Sequence, residues 1–309
     1  VMIENNTSPL REVNAYESLY AAGHRGRGML IAIFDGGFTR LNECNFLYDK
    51  VDFVYDMYVP DTQDSIFACD THGFQCMSVM ACLETEGVCG TAQDARYCLF
   101  RTENSNFECA IEEDMWVVAA EMADSLGVDI ISSSLGYNEF DGNLLTHSRC
   151  ELAQNTAIVS QGAKIASQKG MLICNSAGNE GNDYNWRRIV TPADAENVLC
   201  VGGICSSLTR YNHISFGSYG PTADGRQKPD VVNFGLALVA DPKHDTGYEL
   251  ERGTSFSCPL TAGFVACAMQ ARPNRTALQM KQDVIESADL YPYHDYSVGY
   301  GVPQASYFL

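Results

Sequence analysis

The chain has 309 residues, of which 46% are hydrophobic and 19% charged, and a formal net charge of −19 at pH 7. The excess of acidic residues argues against nucleic acid as a partner, because phosphate binding requires clustered Lys and Arg. No apolar run approaches the ~18 residues of a membrane span, so no membrane span is predicted. A chain of this length and composition buries a large core, and α/β folds often keep it in one domain, which we place at residues 1–309.

Short apolar runs alternate with helical patterns along the whole chain. Continuous apolar runs such as "LIAIF" and "MLIC" are typical of parallel strands that are covered on both faces. The pattern therefore predicts an α/β fold of three α/β/α layers around a mainly parallel central sheet. The predicted strands are Met29–Phe34, Val51–Tyr55, Tyr97–Arg101, Val128–Ser134, Met171–Ser176 and Val198–Gly203, and the predicted helices are Glu12–Ala22, Gly73–Leu83, Glu112–Leu126, Leu152–Gln168, Ser257–Ala271 and Ala277–Ala288.

Thirteen cysteines are present, so at least one has no partner within the chain. The sequence contains no C-x-x-C, which gives zinc-ribbon and thioredoxin-type sites little support. We interpret most of the cysteines as small buried hydrophobic residues. Disulfides remain an open alternative if the protein is exported.

Three polar residues fall where a parallel sheet places its ligands, beyond the ends of strands and at the starts of helices. Asp35 follows a strand in "IFDGGF", His72 precedes a helical pattern in "THGFQCMSVMA", and Ser255 stands in "RGTSFSCPLTAG", where a loop is predicted to become a helix with Pro259 in its first turn. A serine there meets free amides and a positive dipole end, although an ordinary helix cap is the alternative. A hydroxyl becomes nucleophilic when a base takes its proton and a carboxylate orients that base. The combination of Asp35, His72 and Ser255, in that order, therefore suggests a catalytic triad.

Five blocks, "IAIFDGGF", "THGFQCMSVMA", "ISSSLGY", "NSAGNEGN" and "GTSFSCPLTAG", resemble in order the signature blocks of the subtilisin-like serine proteases. The resemblance runs from about Gly26 to the end of the chain. It implies a subtilisin-like fold and a serine endopeptidase with Ser255 as nucleophile, His72 as general base and then acid, and Asp35 as the orienting carboxylate. It also implies that Asn179 donates its amide to an oxyanion, together with the Ser255 backbone N–H.

The resemblance further implies a substrate-binding cleft. It assigns a strand that pairs with the substrate peptide, a wall of the first specificity pocket, and the floor of that pocket, where many members have glycine. A valine in place of that glycine fills space, so we expect Ala, Val or Leu to be preferred over Phe and Tyr before the cleaved bond. The residues concerned are Ser134, Leu135 and Gly136 for the strand, Ser176, Ala177 and Gly178 for the wall, and Val190 for the floor.

Gly36, Phe74 and Phe256 depart from the residues most common in the family, which indicates a divergent branch. A catalytically inactive, subtilase-like peptide-binding module is therefore the alternative function, although the triad and Asn179 are all present. The sequence contains no G-x-S-x-G and no H-E-x-x-H, so an α/β-hydrolase and a zinc protease are not supported.

The resemblance implies polypeptide substrates, no cofactor for the chemistry and no catalytic metal. Family members often carry structural calcium, and Asn138–Asn143 offers closely spaced oxygen ligands, with a plain surface loop as the alternative. The first residues, "VMIENNTSPL", do not form a signal peptide, so we expect any targeting segment or propeptide to have been removed. The expected location is secreted or periplasmic.

Overall fold

The computed structural model describes residues 17–83, 90–143, 146–153, 156–206, 211–241 and 247–309. None of the helices described there combines the length and apolarity that a membrane span requires. The helices are α1 (Ser18–Ala21), α2 (Asn45–Tyr48), α3 (His72–Ala81), α4 (Ile111–Leu126), α5 (Arg149–Leu152), α6 (Ile158–Lys169), α7 (Thr254–Ala271) and α8 (Ala277–Ser287). The strands are β1 (Leu30–Asp35), β2 (Val51–Asp56), β3 (Arg96–Arg101), β4 (Ile130–Ser133), β5 (Leu172–Ser176), β6 (Leu199–Ser206), β7 (Tyr211–His213), β8 (Val231–Phe234), β9 (Leu236–Ala240) and β10 (Tyr248–Arg252).

The central sheet has the strand order β2-β3-β1-β4-β5-β6-β7, and β8 also pairs with β6. All of these pairs are parallel except β6 with β7. Strands β9 and β10 form a separate antiparallel pair, which leads directly into α7. The prediction of a mainly parallel central sheet is therefore confirmed.

The two faces of the sheet bury separate cores, because successive side chains of a strand point to opposite faces. In β1, Ile31 and Ile33 belong to one cluster, which includes residues of α3, α7 and α8. Ala32 and Phe34 belong to the other, which includes residues of α4 and α6. Helices thus cover both faces, and the predicted three-layer arrangement is confirmed.

All six predicted strands are present, with ends that differ by no more than three residues. The predicted helix Leu152–Gln168 starts too early, because α5 ends at Leu152 and α6 runs from Ile158 to Lys169. Between the two helices, the hydroxyl of Thr156 donates to the carbonyl of Glu151 at 3.0 Å. Of the predicted helix Glu12–Ala22, the structure has helix at Ser18–Ala21, and residues 12–16 lie outside the described residues.

The start of α7 also differs from the prediction. The helix begins at Thr254 rather than Ser257, so Ser255 lies within its first turn. Pro259 consequently lies inside the helix, five residues after its first residue, and not in the first turn. Proline has no N–H, so the carbonyl four residues earlier, that of Ser255, loses its helical partner.

Twelve of the thirteen cysteines lie in the described residues, and no disulfide joins any two of them. Seven of the twelve are buried, which confirms the interpretation of most of them as small core residues. Cys89 lies outside the described residues. The alternative of disulfides is therefore wrong for the described cysteines.

The capping box at the start of α8 offers a test of local stability. The Thr276 hydroxyl accepts the N–H of Gln279, and the Gln279 side chain accepts the N–H of Thr276. Replacing Thr276 by Ala leaves that helical N–H without its partner, and we expect the free energy of unfolding to fall by about 1 kcal/mol. Urea titration followed by circular dichroism measures the change. Thr276→Ser keeps the hydroxyl and is the control, and equal stability of the two variants would contradict the cap.

Candidate active site

Asp35 and His72 form a close pair where the end of β1 meets the start of α3. Asp35 is the last residue of β1 and is 1% exposed, and its Oδ1 accepts the N–H of Gly36 at 2.8 Å. Both Asp35 carboxylate oxygens lie 2.9 Å from Nδ1 of His72. This contact fixes the ring orientation and leaves Nε2 as the nitrogen available to accept a proton.

Gly73 permits the close approach of these two elements. A Cβ atom at this position would lie 2.6 Å from the carbonyl oxygen of Gly37 and 2.9 Å from the Cβ of Asp35. Any side chain would therefore push the start of α3 away from the end of β1. The glycine is what allows the imidazole to reach the carboxylate.

The electrostatic environment of His72 favours its protonated form. Burial of the imidazole is the largest single influence and lowers its pKa, but Asp35 and Cys76 together outweigh it through their charges and hydrogen bonds, and the pKa of His72 lies well above its usual value of 6.5. The ring keeps about 31% of its surface exposed, so it remains accessible from the cleft. A base of this kind is neutral, and able to accept a proton, only above that raised pKa.

Ser255 lies beside His72 at the start of α7. The two residues line one depression of about 520 Å³, together with Asn179. Among the described residues no hydrogen bond joins Ser255 Oγ to His72, and such contacts are often long before substrate binds. As the second residue of α7, Ser255 has a backbone N–H with no partner within the helix.

Asn179 is oriented by Thr254, the residue before the serine. Its Oδ1 accepts the Thr254 N–H at 3.0 Å and lies 3.1 Å from the Thr254 hydroxyl. A backbone N–H can only donate, so the atom facing it must be the amide oxygen. The amide NH₂ is then directed away from Thr254 and is available as a donor, as an oxyanion hole requires.

The carbonyl of Ser255, which Pro259 leaves without a helical donor, is satisfied from outside the helix. The Ser134 hydroxyl donates to it at 2.8 Å, and the Cys76 thiol lies 3.5 Å from it. The serine is therefore held from two sides, by α3 and by the segment that follows β4. The sequence contained a signal that Cys76 lies beside His72, because Cys76 follows His72 by four residues and so shares its face of α3.

Cys76 packs directly against the imidazole. Its Sγ lies 3.8 Å from Nδ1 and 3.9 Å from Nε2 of His72. Burial raises the pKa of the Cys76 thiol, so the thiol is neutral near pH 7 and acts as a packing group. Sequence reasoning missed this neighbour of the triad.

The residues predicted for the substrate cleft are also brought together. Ser134–Gly136 follow β4, and Ser176 ends β5 and leads into Ala177 and Gly178. The Asn175 amide donates to the carbonyl of Leu135 at 2.8 Å and so joins the two segments.

Val190 fills the space between these two segments. It is 3% exposed, and its N–H donates to the carbonyl of Ala177 at 3.2 Å. A Cβ atom on Gly136 would lie 2.3 Å from Val190 Cγ2, and one on Gly178 would lie 2.9 Å from Val190 Cγ1. The valine therefore contacts both segments where a pocket floor is expected.

Among the residues that the structure describes, two groups of side chains have ligand atoms close enough to hold a metal ion. One is the set Asp35, His72 and Cys76, whose contacts are those described above. The other is Glu103, Glu108 and Glu112, where burial, with the charges of Glu112 and Asp141, raises the pKa of Glu108 to about 7. In the predicted calcium loop, Asp141 accepts the N–H of Glu108 at 3.0 Å. Calcium binding at Asn138–Asn143 stays a prediction.

The fold and the arrangement of the site place this protein in the class of subtilisin-like proteins. The structure of an S41 psychrophilic protease superposes with a TM-score of 0.72 at 22% identity, covering 90% of this chain and 92% of that one. This shows the shared fold. The family model of the subtilase family matches residues 26–301, and the chain belongs to that family.

Curated relatives support the same assignment over different lengths. Serine protease AprX of Bacillus subtilis is 28% identical over 185 residues, which are 54% of this chain and 39% of AprX. Subtilisin NAT of Bacillus subtilis subsp. natto is 24% identical over 287 residues, which are 92% of this chain and 66% of that protein. The chain thus spans between two fifths and two thirds of the length of these relatives.

The pair of Asp35 and His72 gives a prediction that does not depend on activity. We expect NMR titration of the imidazole nitrogens to give His72 a pKa above 6.5, and Asp35→Asn to lower it, because the carboxylate charge stabilises the imidazolium. The His72 signals are assigned by their loss in His72→Gln. Asp114→Asn, on the exposed side of α4, is the control. An unchanged His72 pKa in Asp35→Asn would contradict the electrostatic role of Asp35.

Proposed function

We propose that this protein is a serine endopeptidase that cleaves peptide bonds with Asp35, His72 and Ser255 and an oxyanion hole containing Asn179. The observation that carries the proposal is the contact of His72 Nδ1 with both Asp35 oxygens at 2.9 Å, beside a serine that begins a helix. Membership of the subtilase family supports the same reading.

The proposed reaction begins at Ser255. Nε2 of His72 accepts the hydroxyl proton while Oγ bonds to the carbonyl carbon of the substrate, and the carbonyl π electrons move onto its oxygen. The amide of Asn179 and the backbone N–H of Ser255 stabilise this oxyanion. Such a donor is worth about 10²–10³ in turnover, a magnitude measured on subtilisin itself.

The second half of the reaction reverses the proton transfers. The imidazolium of His72 gives its proton to the leaving amine as the C–N bond breaks, which leaves an acyl ester on Ser255. Water then gives a proton to His72 and attacks the ester, and Ser255 leaves with that proton restored. Asp35 remains ionised throughout and stabilises the imidazolium.

Substrate recognition is proposed to use the two segments joined by Asn175. An extended peptide would pair with the backbone of Ser134, Leu135 and Gly136, which supplies affinity without fixing sequence. Ser176, Ala177 and Gly178 would form the wall of the first pocket and Val190 its floor. The substrates are therefore polypeptides, with small or medium apolar residues before the cleaved bond.

The subtilase family needs no cofactor for its chemistry. We propose in addition that residues 1–309 form one peptidase domain, that a propeptide is removed from it, and that it acts after secretion or in the periplasm. Intact-mass analysis of the mature protein, recovered separately from the cytoplasm, the periplasm and the medium, tests the last two points.

Replacement of the nucleophile tests the proposed mechanism. We expect Ser255→Ala to fold normally and to lose several orders of magnitude in kcat, because the members of a triad act as a unit. A peptide phosphonate should label Ser255 in the wild type, and mass spectrometry locates the adduct. Ser125→Ala, on the exposed surface of α4, is the control. A well-folded wild type that is neither labelled nor active would instead favour the inactive peptide-binding module.

The Val190 contact gives a second test, on specificity. With substrates that differ only in the residue before the cut, we expect the wild type to have a higher kcat/KM for Ala than for Phe. Val190→Gly should raise the ratio of Phe to Ala at least about tenfold, because a single methylene in a pocket is worth about 10–200-fold. Val190→Ala should give an intermediate ratio. An unchanged ratio in Val190→Gly would show that Val190 is not the pocket floor.

A further inference from the structure

The depression beside Ser255 is bordered by the last residues of β10. Its lining includes Glu249 and Glu251, together with His72 and Ser255. Strand β10 ends at Arg252 and α7 begins at Thr254, so a connection of one residue ties the position of these glutamates to that of Ser255.

Strand alternation explains why both glutamates face the depression. Glu249 and Glu251 are half-buried, whereas Tyr248, Leu250 and Arg252 are exposed. Residues two apart in a strand share one face, so the two carboxylates lie side by side on the half-buried face. The strand therefore presents two negative charges next to the site.

No basic side chain neutralises these carboxylates in the part of the chain that the structure describes. Glu249 accepts a hydrogen bond from the amide of Gln75 at 2.6 Å, and this partner is neutral. Within the described ranges no ion pair involves Glu251, and Arg252, which lies in the same lining, forms none with either glutamate. The charge of the pair is thus available to a ligand.

A third carboxylate, that of Asp70, lines the same depression and adds to its negative charge. Asp70 accepts the N–H of His72 at 3.1 Å and a hydrogen bond from the hydroxyl of Ser105. Burial raises the pKa of Asp70, but these hydrogen bonds and the His72 charge outweigh it, and the pKa lies below its usual value. Asp70 is therefore ionised over the whole working range of a histidine base.

The position of the two glutamates identifies the part of the substrate that they meet. The depression contains none of the residues of the two substrate segments, Ser134–Gly136 and Ser176–Gly178, which are proposed to hold the acyl side. His72, which is proposed to protonate the leaving amine, lies in its lining. Glu249 and Glu251 therefore border the leaving-group side of the scissile bond.

We propose that Glu249 and Glu251 select substrates with Lys or Arg directly after the scissile bond. This rests on the proposed function, because it concerns the leaving-group side of the same site. A Lys or Arg side chain would form charge-assisted hydrogen bonds with the two carboxylates, while a Glu there would be repelled. Both glutamates are partly exposed to solvent, so salt weakens their attraction for a cationic side chain.

Internally quenched peptides that differ only in the residue after the cut, Lys, Gln or Glu, provide the test. At low ionic strength we expect kcat/KM to be highest for the Lys peptide and lowest for the Glu peptide, with about a tenfold difference between them. In ~1 M NaCl the kcat/KM values of the three peptides should become equal. Glu251→Gln and Glu249→Gln should each reduce the ratio of Lys to Glu, and Glu251→Lys should reverse it. Glu121→Gln, on the exposed surface of α4, should leave the ratio unchanged.

The outcomes separate this inference from the proposed function. The charge preference is overturned if all three peptides are cleaved at rates within twofold, or if Glu251→Lys does not alter the ratio of Lys to Glu. Neither result contradicts the proposed peptidase activity. Absence of cleavage and of phosphonate labelling overturns the peptidase. Fluorescence anisotropy with Ser255→Ala then decides the preference by binding alone, and equal affinity for the Lys and Glu peptides overturns it as well.

Discussion

The site depends on one close approach, that of the start of α3 to the end of β1. Asp35 completes a strand in the middle of the sheet and is nearly inaccessible to solvent, so its charge needs a partner. The partner is His72, and the absence of a side chain at Gly73 lets the two elements meet. The orientation and the basicity of the imidazole both follow from this contact. The close pairing of the proposed base with its carboxylate is thus a consequence of helix-on-sheet packing.

The proposed nucleophile, Ser255, is positioned differently, in the first turn of a helix that lacks a regular hydrogen bond there. Helix α7 is almost entirely buried, which fixes its axis against the sheet. Pro259 then removes one hydrogen bond from the start of the helix, and the hydroxyl of Ser134 supplies a replacement to the carbonyl of Ser255. Since Ser134 also begins the segment proposed to bind substrate, the same hydrogen bond ties the nucleophile to the cleft.

Much of this arrangement could be predicted from the sequence, for identifiable reasons. The buried strands are continuous apolar runs, and Asp35 and His72 stand where such runs end or a helix begins, so position in an α/β fold pointed to them. Short or half-exposed strands such as β10, with the sequence "YELER", carry little apolar signal and were not predicted. The break between α5 and α6 carries no signal in the apolar periodicity. The four-residue spacing of His72 and Cys76 was available as a signal for their contact, but it does not by itself show that the cysteine packs on the ring.

The contact of Val190 with Gly136 constrains the order in which this cleft can change. A side chain at Gly136 has no room while the valine is present, so a substitution there is disruptive in the present background and tolerable only after Val190 has become smaller. Gly178 is constrained independently of Val190, because its φ is +105° and a Cβ there would lie 2.7 Å from Ser218 Oγ. Val190 can be shortened first, because this change removes atoms and creates no overlap. Divergence of the pocket among descendants of this sequence would therefore pass first through position 190, and only afterwards through position 136.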